Sequence, residues 1–288
     1  MQATILIQTL VFGLALGGVI AVSAVGLTLA YGVTRFINFA FGEFLTLGAV
    51  FCTALVTAGL ALAPSVGLSV LAVALIGVAV ARVFYDPLAG RGLLPLLVTS
   101  VGVAFVAQNL VRMAVGSNPV RFPVPLMRPL EVGGVFVPVE QVIVLGVALA
   151  VMLAVHLLLR FTMLGKKMRA VADDPELARV SGVSARQVTT ATWAISAAIA
   201  ALGGVLLAVT QITVTPQMGW HFLLVVFAAV LLGGIGSPYG AMIGGLAIGL
   251  AIELGATYVA ANYSYAFAFV VLVGVLVLRP RGLLGGRA

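Results

Sequence analysis

Residues Thr4 to Ala30, TILIQTLVFGLALGGVIAVSAVGLTLA, carry no charged side chain and only scattered hydroxyls and one amide. A run of this length exceeds the roughly 20 apolar residues that a helix needs to cross a hydrocarbon core about 30 Å thick. Val142 to Leu159 and Tyr265 to Leu278 are shorter apolar runs that approach this length. Across all 288 residues, 62% are hydrophobic and 8% charged, with a mean hydropathy of +1.25. A soluble domain carries about 25% charged residues, so no aqueous fold can hide this much apolar surface. The bilayer is the solvent for this chain.

A membrane β-barrel needs segments of about 10 residues that alternate between lipid-facing and lumen-facing side chains. These runs do not alternate, and an all-α polytopic fold is predicted. The 34 glycines suit helices whose backbones approach closely, as in Ala241, Gly244, Gly245, Ala247 and Gly249. Hydropathy and length give nine apolar segments: 4–30, 38–60, 65–84, 93–114, 141–161, 188–209, 221–235, 239–258 and 265–279. Segment 221–235 is short enough to be re-entrant or broken, which is tolerated only where the backbone is buried or lines a cavity. No break separates the segments into units, so residues 1–288 are read as one transmembrane domain. The N-terminus lacks a basic flank and a small-residue cleavage site, and Thr4–Ala30 is expected to stay in the mature protein.

Nine spans with the C-terminus inside place Arg35, Arg82, Arg91, Arg160, Lys166, Lys167, Arg169, Arg179, Arg186, Arg279, Arg281 and Arg287 in the cytoplasm. Only Arg112, Arg121 and Arg128 then lie outside, and this 12 to 3 division is what the positive-inside rule requires. The net charge of +7 is therefore an orientation signal, and nucleic acid is not an expected partner. The outer loop 115–140 holds five of the 12 prolines, and Leu130 to Val137 reads as a hairpin turning on Gly133-Gly134. An external lid and a plain solvated loop are both open readings of it.

The cytoplasmic loop 162–187 contains a short helix with both ends specified. Asp174 suits the N-cap, Pro175 the first helical position and Glu176 the positive dipole end; Leu177 and Ala178 continue it. Arg179 lies toward the negative end and Gly182 suits a left-handed C-terminal cap. So short a helix does not persist alone in water, and either the rest of the chain or a docked partner must hold it.

Chemistry within the chain is sparse. The phosphate-binding pattern G-x-x-x-x-G-K-[ST] is absent: neither Lys166 nor Lys167 is followed by Ser or Thr, and no lysine follows Gly233, Gly234 and Gly236. No catalytic residue, metal site or cofactor is expected, and Cys52 sits alone in an apolar run. Ionisable groups in apolar segments cost about 2.5 to 3.5 kcal/mol each at a helix centre on insertion scales, so Glu43 and Glu253 each need a reason. A structural hydrogen-bonded role and a place on a substrate path both remain open. Arg35 could pair with either acid or anchor at the surface.

Three stretches together resemble the permeases of branched-chain amino acid ABC importers of the LivH type. GLTLAYGVTRFINFAFGE, Gly26 to Glu43, is similar to the family's G-L-x-L-x-Y-G-x-x-R-x-x-N-F-A-H-G-E. GKKMRAVADDPELARVSG, Gly165 to Gly182, is the second. The third runs from AVLLGGIGSPYGA, Ala229 to Ala241, through Glu253 to RPRGLLG, Arg279 to Gly285. The resemblance implies a permease of the bacterial inner membrane that moves branched-chain or related neutral amino acids inward by ATP-driven alternating access. It implies a second permease subunit, identical or different, two ATPase subunits that bind ATP and Mg, and an external substrate-binding protein. Asp174–Gly182 becomes the expected ATPase-coupling helix, and Asn38, Phe41, Glu43, Gly233, Gly234, Gly236 and Glu253 the expected substrate path. Phe41 stands where the family usually has His, and Asp173-Asp174 where the stretch usually ends in Asn. The competing reading is an ion-coupled secondary transporter or channel for small polar solutes.

Overall fold

In the computed structural model, which describes residues 2–124, 128–132, 135–260, 263–279 and 282–284, each of the nine apolar segments forms a helix. They are α1 (Gln2–Thr34), α2 (Phe41–Thr57), α3 (Leu62–Val80), α4 (Leu93–Val115), α5 (Val139–Phe161), α8 (Ala185–Gln211), α9 (Met218–Gly233), α10 (Pro238–Tyr258) and α11 (Ser264–Leu278). Two further helices, α6 (Met163–Asp173) and α7 (Pro175–Val180), occupy the loop between α5 and α8. The last turns of α3 widen to a π-helical turn over Ala81–Tyr85 and tighten to a 3-10 turn over Asp86–Leu88, where Pro87 cannot continue the ladder.

Among the described residues, six helices are long and apolar enough to cross a membrane: those within α1, α3 with its two turns, α4, α5, α8 and α10. The other three are short. Helices of 17 residues (α2) and 16 residues (α9) are about 25 Å long at 1.5 Å per residue, less than the hydrocarbon core. For segment 38–60 this corrects the expected span: its first residues are not helical. Phe36, Ile37 and Phe39 make the stretch apolar enough to pass as span, but Arg35 is left-handed and Phe39–Ala40 form a turn, so the segment is irregular, with Phe36, Asn38 and Ala40 buried.

Helix α1 is the axis of the fold, packed against α5, α8, α9 and α10. Its contact with α10 runs through small residues: a Cβ on Gly17 would fall 2.9 Å from Leu246 Cα, and Cβ atoms on Gly245 and Gly249 would overlap the backbones of Ala21 and Gly17. With lipid as apolar as leucine, such backbone approach is what holds helices together in a membrane. Polar atoms reinforce it, with Ser196 Oγ on α8 donating to the Gly26 carbonyl of α1 at 2.7 Å.

In the connection between α4 and α5, β2 (Leu130–Val132) and β3 (Val135–Val137) pair antiparallel, as the hairpin reading requires; the turn residues Gly133 and Gly134 lie outside the described residues, as do Arg281 and Arg287. The start of this loop is not free. β1 (Val120–Arg121) pairs with β4 (Thr213–Val214) in the α8–α9 connection, and Phe122 beside it is fully buried.

Candidate functional site

Two places concentrate polar or conformationally special residues. The first is the junction of α1 and α2. Helix α1 stops at Thr34, and Arg35 takes a left-handed conformation (φ 57°), which costs about 1 to 2 kcal/mol for a residue with a Cβ. The Arg35 guanidinium donates to the carbonyl of Ala172 in α6 and meets neither Glu43 nor Glu253 in a salt bridge. The chain then doubles back: the Phe41 ring reaches the α1 surface at Gly26, eight residues or about 12 Å before the end of that helix.

Backbone groups in such a return segment need partners where water is excluded. Asn38 Oδ1 accepts from the Ala40 N–H (2.9 Å) and from the Tyr85 hydroxyl (3.0 Å), and Ser100 Oγ accepts from the Phe39 N–H (3.2 Å). Tyr85 is held in turn by Phe36 and Trp193, with ring centroids 5.2 Å from each, so the π-turn of α3 serves to aim its hydroxyl. Trp193 is itself buried in this cluster.

Glu43 follows in the first turn of α2 and is 1% exposed. Both its carboxylate oxygens and the Asn38 amide nitrogen are buried without a hydrogen-bond partner among the described residues. Around them α2 packs backbone to backbone on its neighbours. A Cβ on Gly42 would lie 2.6 Å from the Gly219 oxygen, and Cβ atoms on Gly219 and Gly204 would overlap the carbonyls of Gly42 and Leu45. Thr46 Oγ1 accepts from the Gly219 N–H at 3.1 Å, so the start of α9 is tied to the first turns of α2.

The structure brings Asn38, Phe41 and Glu43 together but not the other expected path residues. Gly233, Gly234 and Gly236 form the α9–α10 turn, with φ of 103° at Gly234 and 84° at Gly236, and Gly233 packs against Gly240. Residues 282–284 dock on that turn through Leu283 N–H to Leu232 O (2.8 Å) and Leu284 N–H to Gly233 O (2.9 Å). Glu253 is half-buried on α10 beside Gly13 of α1, and no hydrogen bond joins it to Glu43 among the described residues. Tyr85, Ser100, Thr46 and Gly219 were not expected at the site; the available signal was their polarity or smallness inside otherwise apolar runs.

The second place is α7. Asp174 Oδ1 accepts from the N–H groups of Glu176 (2.9 Å) and Leu177 (3.0 Å), with Pro175 in the first turn. At the other end Gly182 is left-handed (φ 82°), its N–H bonds to Arg179 O (3.0 Å), and the Val183 N–H bonds to Ala178 O (2.9 Å). This is the double closure that ends a helix on glycine. Ala178 faces inward, while Leu177 and Val180 are 65% and 86% exposed. This outward apolar pair is flanked by the charged residues Glu176 and Arg179. Its base, α6, is an amphipathic helix capped by Thr162 and buried along Gly165, Met168 and Val171, within the stretch 162–187 expected as a loop. The Arg35 bond to Ala172 links this unit to the α1–α2 junction.

The chain as a whole resembles known proteins. Residues 9–276 match the family described as branched-chain amino acid transport system / permease component. The chain is 33% identical to the high-affinity branched-chain amino acid transport system permease protein BraD of Pseudomonas aeruginosa over 97% of its own length and 95% of the relative. It is 31% identical to the LivH permease protein of Escherichia coli K12 over the same shares. A probable branched-chain amino acid transport permease of Methanocaldococcus jannaschii is 28% identical, covering 91% of this chain and 87% of that one. Among solved structures, a chain of PsaBC from Streptococcus pneumoniae in complex with Fab shares the fold, with a TM-score of 0.52 at 14% identity over 95% of this chain and 91% of that one.

Proposed function

We infer, from the premise that this chain belongs to the family of branched-chain amino acid transport system permease components, that it is the membrane-spanning subunit of an ABC importer for branched-chain or related neutral amino acids. The observation that carries the coupling step is α7: a six-residue helix, capped at both ends, that turns Leu177 and Val180 away from the rest of the chain. Two ATPase subunits, which bind ATP and Mg, dock on this helix from the cytoplasm. A second permease subunit completes the path, and an external binding protein delivers the amino acid.

The proposed orientation has the N-terminus outside and the C-terminus inside, in the bacterial inner membrane. ATP-driven closure of the ATPases pushes α7 and α6, and the Arg35–Ala172 bond carries the displacement to the α1–α2 junction. There the glycine contacts of α2 with α8 and α9 let the helices rock as bodies around a central path, as alternating access requires. Asn38, Phe41 and Glu43 stand nearest that moving junction and are the proposed path residues; Gly233, Gly234 and Gly236 act as its turn, and Glu253 lies toward the outer end.

The test is ATP-driven uptake of radiolabelled leucine by proteoliposomes holding the permease pair, the ATPase subunits and the binding protein. Uptake that needs ATP and is blocked by excess unlabelled isoleucine supports the reading. Uptake that follows an ion gradient and ignores ATP would replace it with a self-contained transporter.

A further inference from the structure

A cleft of about 440 Å³ opens where α5 ends, between α1, α6 and the start of α10; Gly236 of the α9–α10 turn lies at its edge, and no residue of α7 lines it. Arg160 and Arg169 line it together with His156 and Tyr239, whose Nδ1 and hydroxyl are 3.0 Å apart. No carboxylate is among its lining residues. Thr28, which is 1% exposed and whose hydroxyl has no hydrogen-bond partner among the described residues, forms part of the wall. A buried hydroxyl without a protein partner calls for one from elsewhere.

We propose that this cleft binds the phosphate headgroup of an anionic phospholipid in the cytoplasmic leaflet. A guanidinium suits a phosphodiester in charge and in its fork of N–H donors, and two arginines line this cleft. Apolar wall residues, Leu29, Val33 and Leu159, suit the start of an acyl chain rather than a free phosphate. Leu157, Phe161 and Met163 beside the cleft are exposed, as lipid-facing side chains are, and Arg160 lies over the Phe161 ring at 5.7 Å. Basic pockets at the cytoplasmic ends of membrane helices are suited to such headgroups. Ala172, whose carbonyl holds Arg35, also lines the cleft, so a lipid seated there braces the base of the coupling unit.

The experiment is native mass spectrometry of the full permease released from nanodiscs of phosphatidylglycerol and phosphatidylethanolamine, reading the lipids it retains. The wild type should retain phosphatidylglycerol preferentially. The double variant Arg160→Gln, Arg169→Gln should lower that retention by about 25-fold, roughly fivefold for each basic side chain lost near the anionic group. A second double variant, Lys166→Gln, Lys167→Gln, removes equal charge from α6 outside the cleft and should retain phosphatidylglycerol like the wild type. Equal retention of the two lipids by the wild type, or equal losses in the two double variants, would overturn the proposal. So would displacement of the lipid by millimolar inorganic phosphate, which would make the site one for a free anion.

Discussion

Replacing Asp174 by Ala removes the oxygen that accepts the Glu176 and Leu177 N–H groups at 2.9 and 3.0 Å. Losing an N-cap of this kind costs about 1 kcal/mol. Helix α7 has six residues, too few to stay helical without its caps. A cost of about 1 kcal/mol lowers the ratio of formed to unformed helix about fivefold. If α7 transmits ATPase closure, ATP-driven uptake in reconstituted vesicles should fall by a similar factor, while thermal unfolding of the membrane helices, which do not depend on this exposed cap, shifts little. Asp174→Asn keeps the acceptor and should transport like the wild type. Gly182→Ala attacks the other end, where φ is 82°, and at about 1 to 2 kcal/mol should reduce uptake five- to thirtyfold. The reasoning is refuted if Asp174→Ala transports normally, or if Asp174→Asn is as impaired as Asp174→Ala, since the carboxylate charge and not the cap would then matter.

At the helix contacts, Gly204→Ala and Gly219→Ala each push a methyl into a backbone carbonyl of α2, and overpacking of this kind costs about 1 to 3 kcal/mol or more; both variants should melt earlier in a detergent unfolding assay. Tyr85→Phe keeps the ring between Phe36 and Trp193 but leaves Asn38 Oδ1 one donor short, a loss of about 1 kcal/mol that the same assay should register as a smaller shift. The pair Glu43→Gln, Glu253→Gln separates the transport classes: any uptake that remains should still require ATP and stay insensitive to an imposed proton gradient. Cys52 is fully buried, so cysteines introduced at Ser181 and Ser117 can be labelled against a quiet background. A membrane-impermeant maleimide should reach Ser117→Cys from outside and Ser181→Cys only after the vesicles are opened.

What could be read from the sequence follows the strength of each local signal. Long apolar runs such as Thr4–Ala30 have one physical solution, and each became a helix. The cap residues of α7 act within four positions of one another, so Asp174, Pro175 and Gly182 could be placed before any tertiary contact was known. Helix α6 was legible in principle, since Leu164, Met168 and Val171 recur at helical spacing with lysines and arginines between them. The return segment 35–40 was not legible, because Phe36, Ile37 and Phe39 have the hydropathy of a span, and only the tertiary partners Tyr85 and Ser100 reveal that the backbone there is not helical. The same limit applies to the proposed path: Glu43 and Glu253 look alike as lone acids in apolar runs, and only packing separates a fully buried residue at the α2 start from a half-buried one against Gly13.

The most direct test of the account is native mass spectrometry of the gently solubilised complex from its own membranes, with residues 174–182 intact or scrambled. Two ATPase subunits should travel with the intact chain and be lost from the scrambled one, while the permease pair persists in both. ATPase subunits bound equally to both forms would contradict α7 as the docking helix, and a chain that carries none in either form would contradict the importer reading itself.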